Sequence, residues 1–360
     1  MQLWTTTVAS ARAAQRVAQE AEAAGWDGML VVDSQNLSGD PYIALALAAV
    51  ATKRIGLGPG VTNSVTRHAA ATATAITSVN RVSNGRAVLG IGRGDSALAH
   101  LGRAPARLGQ FERYLVQLQA YLAGDAVAFA DIDIPHDVAP PMSELELHDA
   151  PPASRIGWIA DGLKSREAKV PVETAASGPK VIAIAARHSE RVMFTLGADV
   201  ERLQWGIELA REARRKAGLD PDAIAFGAYV NMGCHTDLDT ARSLVRGGLT
   251  TFARFSVMHG TASGPLSAKD RQSLETLRSN YDMKAHTRAD SRQAGTLADD
   301  FVDRFAIVGA PERCLERLQA LAKLGLDKLA ISGGTRGVPA EVAATGREMV
   351  TAHVLPAWRR

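Results

Sequence analysis

Along the chain, short apolar runs alternate with longer stretches in which apolar positions recur every three or four residues. The joins between them fall on glycine, proline, asparagine or aspartate. The short runs read as strands buried on both faces, the longer stretches as helices with one face on a core. Residues 2–8 open as a strand, 11–24 form a helix leading to Gly25, and 29–32 form a second strand stopped by Asp33-Ser34-Gln35-Asn36. Pro41 starts a helix to about residue 52, since proline is tolerated in a first helical turn. Ile55 and Leu57 precede the Gly58-Pro59-Gly60 break, where Pro59 cannot donate a ladder hydrogen bond. An alanine-rich helix over 68–82 is left through Asn84-Gly85, and 87–89 is a fourth strand ending at Gly90-Ile91-Gly92-Arg93-Gly94-Asp95. Leu108, Phe111, Leu115, Leu118 and Leu122 then lay an apolar stripe along a helix over 107–122.

The pattern lapses over 124–170, where Pro135, Pro140, Pro141, Pro151 and Pro152 rule out a long helix, and this segment reads as an insertion packed over one end of the fold. It then resumes, with strands at 172–176, 192–196, 225–232 and 328–332 and helices at 179–187, 200–216, 240–257 and 311–324. A short strand-like run at 305–308 precedes the last of these helices. A second irregular, polar segment, 260–298, reads as an insertion or lid, or as a contact with a second subunit. Eight strands alternating with helices favour one (β/α)8 TIM barrel over residues 1–360; an open doubly wound sheet is the competitor. Glycine or polar residues follow nearly every strand, at Asp33-Ser34, Gly60, Gly90–Gly94, Ser177-Gly178, Gly197, Asn231 and Gly333-Gly334. A barrel gathers all of these on the face where the chemistry sits.

Composition narrows the function classes. A formal charge of +3 over 360 residues, with no basic block and few aromatics, does not argue for nucleic acid. No apolar run approaches the roughly 18 residues of a membrane span. Two cysteines imply no disulfide framework, and the amino terminus lacks a secretory pattern, so a cytoplasmic protein is expected. The nine histidines show no metal-ligand spacing, and no metal is expected.

Two strand ends opened by glycine suit a flat ligand lying close to bare backbone, although ordinary tight turns read the same way. Thr174–Lys180 runs from a strand end into a helix, where free N–H groups, the helix dipole, the Ser177 hydroxyl and Lys180 suit a phosphate. A plain helix cap is the other reading, and Gly197-Ala198 on the neighbouring strand end tips the balance towards phosphate. Asp33 at the second strand end is placed to exchange a proton, or else makes an Asx turn or cap. His68 stands where a helix cap would, Asn63 and Arg67 where loop-structuring residues would, and Arg93 is held between two glycines.

With these residues located, the chain resembles the luciferase-like monooxygenase superfamily, and within it the methylenetetrahydromethanopterin-reductase-like branch. Gly58-Pro59-Gly60-Val61-Thr62-Asn63 with Thr66-Arg67-His68, then Gly85-Arg86-Ala87-Val88-Leu89-Gly90-Ile91-Gly92 with Gly94-Asp95, carry the likeness, as does Ala176-Ser177-Gly178-Pro179-Lys180. It runs from about Gly25 to the last strand. The resemblance implies a homodimeric barrel with a non-proline cis peptide near Gly60-Val61 whose bulge supports a bent tricyclic ring. It places Gly60, Val61, Thr62, Asn63, Gly92, Arg93 and Gly94 around that ring. Ser177, Gly178, Pro179, Lys180, Gly197 and Ala198 take the phosphate, Asp33 stands near the reactive edge, and His68 and Arg93 face the substrate.

Departures are Ser64 and Ala69, where the branch commonly has proline, and Arg93, where it has a small residue. The implied activity is hydride transfer between coenzyme F-420, or FMN, and a small organic substrate. The alternative is a two-component FMN monooxygenase fed by a separate flavin reductase. A non-catalytic flavin-binding barrel or sensor is the reading from another class. A barrel aldolase or isomerase would want a Schiff-base lysine or carboxylate cluster at the strand ends, and neither is found there.

Overall fold

The computed structural model of the chain describes residues 1–258, 260, 262–333 and 336–360; Gly334, the second glycine after the last strand, lies outside the described residues. Ten strands occur in the order β1 (Gln2–Val8), β2 (Gly28–Val32), β3 (Gly56–Pro59), β4 (Thr62–Asn63), β5 (Leu89–Gly92), β6 (Val172–Ala176), β7 (Arg191–Phe194), β8 (Ala225–Cys234), β9 (Ile307–Gly309) and β10 (Lys328–Ser332). The helices of the first half are α1 (Ala14–Ala24), α2 (Pro41–Ala51), α3 (Ala69–Val82), α4 (Ser96–Ala99), α5 (Leu108–Leu122), α6 (Gly157–Lys164) and α7 (Pro179–His188). Those of the second half are α8 (Val200–Lys216), α9 (Leu238–Phe255), α10 (Ala268–Ser279), α11 (Asp299–Phe305), α12 (Pro311–Ala322), α13 (Ala340–Met349) and α14 (Leu355–Trp358).

All the strand pairs are parallel, and the path β3-β2-β1-β10-β8-β7-β6-β5-β4 returns on itself because β3 and β4 are two pieces of one interrupted stave. Leu57 of the lower piece pairs with Ala87 and Asn63 of the upper piece pairs with Gly92, so the barrel closes on both sides of the break. The peptide bond at the break, Gly60-Val61, is cis. Helices surround the staves, and the result is the (β/α)8 TIM barrel expected from the alternation.

Two expectations change in detail. The fourth strand runs on through Gly90 and Gly92 instead of stopping before them. A Cβ on Gly90 would stand 2.2 Å from the Pro59 carbonyl oxygen, so glycine lets the closing staves approach there. The run near 305–308 is β9, which pairs only with the upper end of β8 and is not one of the eight staves. The polar 260–298 segment contains α10, opened by a Ser267/Asp270 capping box, and the 124–170 segment contains α6.

Period-two alternation sorts the side chains of each stave. On β8, Phe226, Ala228, Val230 and Met232 pack outward on the helices, while Tyr229 packs inward with Trp4, Leu30, Met193 and Ala330. The barrel floor holds charge: Glu173 accepts a 2.7 Å bond from Lys328 Nζ and another from Arg191, and Lys328 Nζ lies 3.2 Å from the Trp4 ring centroid. Burial pulls the Lys328 pKa down to about 8, against the opposing pull of Glu173. No helix of the described residues is long and apolar enough to cross a membrane.

Candidate functional site

The carboxyl ends of the staves share one rim, and every predicted site segment lies on it. The Gly60-Val61 break, the Gly92–Gly94 exit and Ala175 of β6 touch: a Cβ on Gly92 would lie 3.2 Å from Val61 Cγ2 and 3.7 Å from Ala175 Cβ. The glycine-opened strand ends therefore meet on a single face.

Asp33 leaves the end of β2 but is not a free acid at the mouth. Its Oδ2 accepts 2.7 Å from Thr62 Oγ1 and 2.9 Å from Arg67 Nη1. Arg67 Nη2 continues to Asp40 Oδ2, and its guanidinium sits 4.9 Å from the Tyr42 ring centroid. Neither sequence reading of Asp33 named this partner, and a carboxylate so held ties β2, β4 and the loop before α3 together.

Asn63 does structure its loop, with Oδ1 accepting from the N–H groups of Val65 and Thr66, both at 3.0 Å. Its Nδ2 is buried and without a partner among the described residues. Arg93 is turned to the chain: Nε donates to the Ala106 carbonyl at 2.6 Å while Ala106 N–H returns a bond to the Arg93 carbonyl. Its contacts fix the 93–106 loop.

His68 is the cap of α3, its Nδ1 accepting from Ala70 N–H at 3.2 Å. Burial lowers its pKa, so the ring is neutral with its proton on Nε2. That atom is buried and without a partner among the described residues, beside a cavity of about 510 Å³ lined by Ser64, Gln110, Tyr114 and Gln117 among others.

The phosphate segment is part open and part occupied. Gly178 is the cap of α7 with Pro179 next, so the first N–H groups of the helix have no intrahelical acceptor. A Cβ on Gly178 would meet nothing within 4 Å, and Lys180 is exposed alongside. Ser177 Oγ donates to the Phe255 carbonyl at 3.2 Å. Ala198 corrects the expectation of a free donor: its N–H donates to the Phe305 carbonyl, and its own carbonyl accepts from Arg317. Gly197 has φ +79°, and a Cβ there would strike the Phe305 ring at 2.7 Å, so its smallness also serves packing.

Inside the mouth, Tyr229 Oη and Asn231 Oδ1 are buried without partners among the described residues, although Asn231 Nδ2 reaches the Ser332 carbonyl at 3.5 Å. Burial raises the Tyr229 pKa, so the phenol stays protonated. Above it lies a cluster that the sequence reading did not assign. Asp95, directly after β5, pairs through Oδ1 with Arg254 of α9, and the Arg254 guanidinium lies 4.5 Å from the Tyr281 ring centroid. Tyr281 Oη shares a 2.7 Å hydrogen bond with His286 Nδ1. Burial lowers the His286 pKa and raises that of Tyr281, so both are neutral near pH 7. Asp95 follows the glycine run and was visible there; Tyr281 and His286 sit in a polar segment with no periodic pattern to mark them.

Among the described residues no group of three or more His, Cys, Asp or Glu side chains is placed to hold a metal ion. The sequence profile of the luciferase-like monooxygenase family matches residues 2–328. A 5,10-methylenetetrahydromethanopterin reductase of Methanolobus tindarius is 27% identical over 339 residues, covering 92% of this chain and 94% of that one. The coenzyme F-420-dependent tetrahydromethanopterin reductase of Methanopyrus kandleri superposes with a TM-score of 0.71 at 18% identity, over 99% of each chain. A monooxygenase of Streptomyces bottropensis gives 0.63 at 19% identity, over 99% of this chain and 100% of that one. With its profile match covering residues 2–328, well over half of the chain, this protein belongs to the luciferase-like monooxygenase family.

Proposed function

We propose that the protein is an oxidoreductase that holds coenzyme F-420, or FMN, at the barrel mouth and serves hydride transfer to or from a small organic substrate. One observation carries the reading: buried polar atoms without partners among the described residues (Asn63 Nδ2, Tyr229 Oη, Asn231 Oδ1) lie on the strands that form the rim, which also leaves open space over Gly178. Native proteins rarely leave such atoms unsatisfied, and a polar ring with an anionic tail would supply what they lack. When bound, the cofactor supplies the redox chemistry itself.

The chain's part is placement. Val61, Gly92 and Ala175 offer a flat apolar bed; Ser177, Gly178 and the start of α7, with Lys180, hold the phosphate. Asp33, balanced by Arg67, fixes the rim beside the reactive edge. Asp95 Oδ2, buried and without a partner among the described residues, is the acceptor for an N–H or O–H of ring or substrate. His68 and the Arg93 loop bound the substrate side.

Whole-length likeness to the curated reductases, and to the solved reductase of Methanopyrus kandleri that is coenzyme F-420-dependent, favours F-420. The FMN monooxygenase alternative, with its separate flavin reductase, draws on the family as a whole. Equilibrium binding of the purified apoprotein to each cofactor, followed by absorbance during turnover, decides between them. Preference for F-420 supports the leading reading, and binding without reduction or reoxidation leaves a sensor. Affinity for neither refutes the proposal.

A homodimer fits the surface of α2. This helix is apolar on every side, and Ile43 and Val50 are 57% and 63% exposed on the stripe that Leu47 shares. Replacing both Ile43 and Val50 by glutamate is expected to give a monomer by sedimentation with the fold unchanged. Two buried, unpaired cysteines fit a reducing compartment, and we read the protein as cytoplasmic.

A further inference from the structure

The last two turns of α9 cross the barrel mouth instead of lying against its outer wall, and they touch the rim at three places. Phe252 stacks on Tyr229, with ring centroids 6.2 Å apart and planes 21° apart, and packs into the interior cluster together with Val61, Val88 and Ala175. Arg254 pairs with Asp95 at the exit of β5. The Phe255 carbonyl accepts the Ser177 hydroxyl at the exit of β6.

Each contact uses a group of the proposed cofactor bed: the Val61 surface, the β5 exit and the phosphate-loop serine. The residues joined by these contacts also carry Asp95 Oδ2, Arg254 Nε and Tyr229 Oη, all buried without partners among the described residues. An aromatic stack, one ion pair and one hydrogen bond therefore close the mouth while leaving these three polar atoms unsatisfied among the described residues, as in a shut state that a ligand relieves.

The helix also carries a weak point. Gly247 and Gly248 are consecutive in its middle, and glycine costs about 1 kcal/mol of helix propensity relative to alanine at each position. Glycine pairs are where helices bend. The segment before them is fixed by Arg242, which donates twice to the Asp303 carboxylate, and by Arg246, which donates to the Leu297 carbonyl. The residues after them, 249–255, bear all three rim contacts.

We infer that residues 249–255 of α9 form a latch, with Phe252 as its plug and the Arg254–Asp95 pair as its clasp, that pivots at Gly247-Gly248 to admit the cofactor. The inference rests on the cofactor reading for what enters, but the latch itself is tested without any ligand. In hydrogen exchange on the apoprotein, Arg254→Met is expected to speed exchange of the 249–255 amides about ten-fold or more while the barrel strands change little. Asp95→Asn, which opens the clasp from the other side, is expected to do the same, and Arg254→Lys to restore much of the protection. Unchanged exchange in both charge-removing variants, or loosening of the whole barrel, overturns the latch.

The second arm uses F-420 and FMN as probes in stopped-flow fluorescence. A gating step makes the wild-type rate level off as cofactor rises, and Arg254→Met and Phe252→Ala are expected to lift that plateau about ten-fold. Binding that never levels off, or variants no faster than wild type, overturns the gate. If neither cofactor binds any form while exchange still reports the loosened segment, the latch stands and the cofactor assignment falls.

Discussion

Glu173→Gln is expected to destabilise the protein by about 3–5 kcal/mol, the range found when one partner of a buried ion pair is removed. Glu173 and Lys328 are fully buried, and this carboxylate is the anion that both Lys328 and Arg191 address on the barrel floor. Glutamine keeps the shape but leaves two cations facing a neutral amide, one of them against the Trp4 ring. Arg191 retains some access to solvent, so the larger part of the loss falls on Lys328. Urea unfolding at constant m-value measures the effect.

The pH dependence identifies the cause. Burial holds the wild-type Lys328 pKa at about 8, below the roughly 10.4 of an unfolded lysine, so the unfolded chain binds the proton more tightly and stability from this group rises with pH across that window. Without Glu173 the folded pKa falls further, and a neutral amine no longer misses its carboxylate. The deficit of Glu173→Gln should therefore be larger at pH 6 than at pH 9. A deficit that does not change with pH would assign the loss to packing instead of charge.

The same cluster shows what the sequence could and could not tell. The staves and helices were legible because their signals are local: Met29-Leu30-Val31-Val32 is an apolar run, and the leucine stripe of α5 repeats within its own length. The break at Gly60 and the open turn at Gly178 were legible because glycine and proline constrain backbone wherever they fall. Ion pairs carry no such period. Glu173 and Lys328 are 155 residues apart, Asp95 and Arg254 are 159 apart, and Asp33 finds Arg67 across a 34-residue gap. Asp33 consequently read as a proton-exchanging acid or a turn cap with no partner named, and nothing in the local pattern singled out Arg254. Arg93 shows the same limit of local signals, since its glycine neighbours do not announce the Ala106 carbonyl, 13 residues on, to which its Nε donates.

Gly178→Asp separates binding from folding more sharply than any other change at the rim. The residue has φ −99° and caps α7, a conformation open to any L-residue and a position where aspartate is preferred over glycine by a few tenths of a kcal/mol. Its Cβ would project into space with no atom within 4 Å, so the variant should fold with a melting temperature equal to or slightly above wild type. That space is where the proposed phosphate lies, against the free N–H groups of the helix start. A carboxylate there takes those donors for itself and faces the phosphate charge, and like charges brought together at a binding surface cost several kcal/mol. Cofactor affinity is accordingly expected to fall about 1,000-fold, while Gly178→Ala, which fills part of the same space without charge, should lose far less. Titration of both variants with F-420 and FMN decides the matter. Equal losses for alanine and aspartate would point to crowding, and unchanged affinity for aspartate would move the phosphate away from α7 altogether.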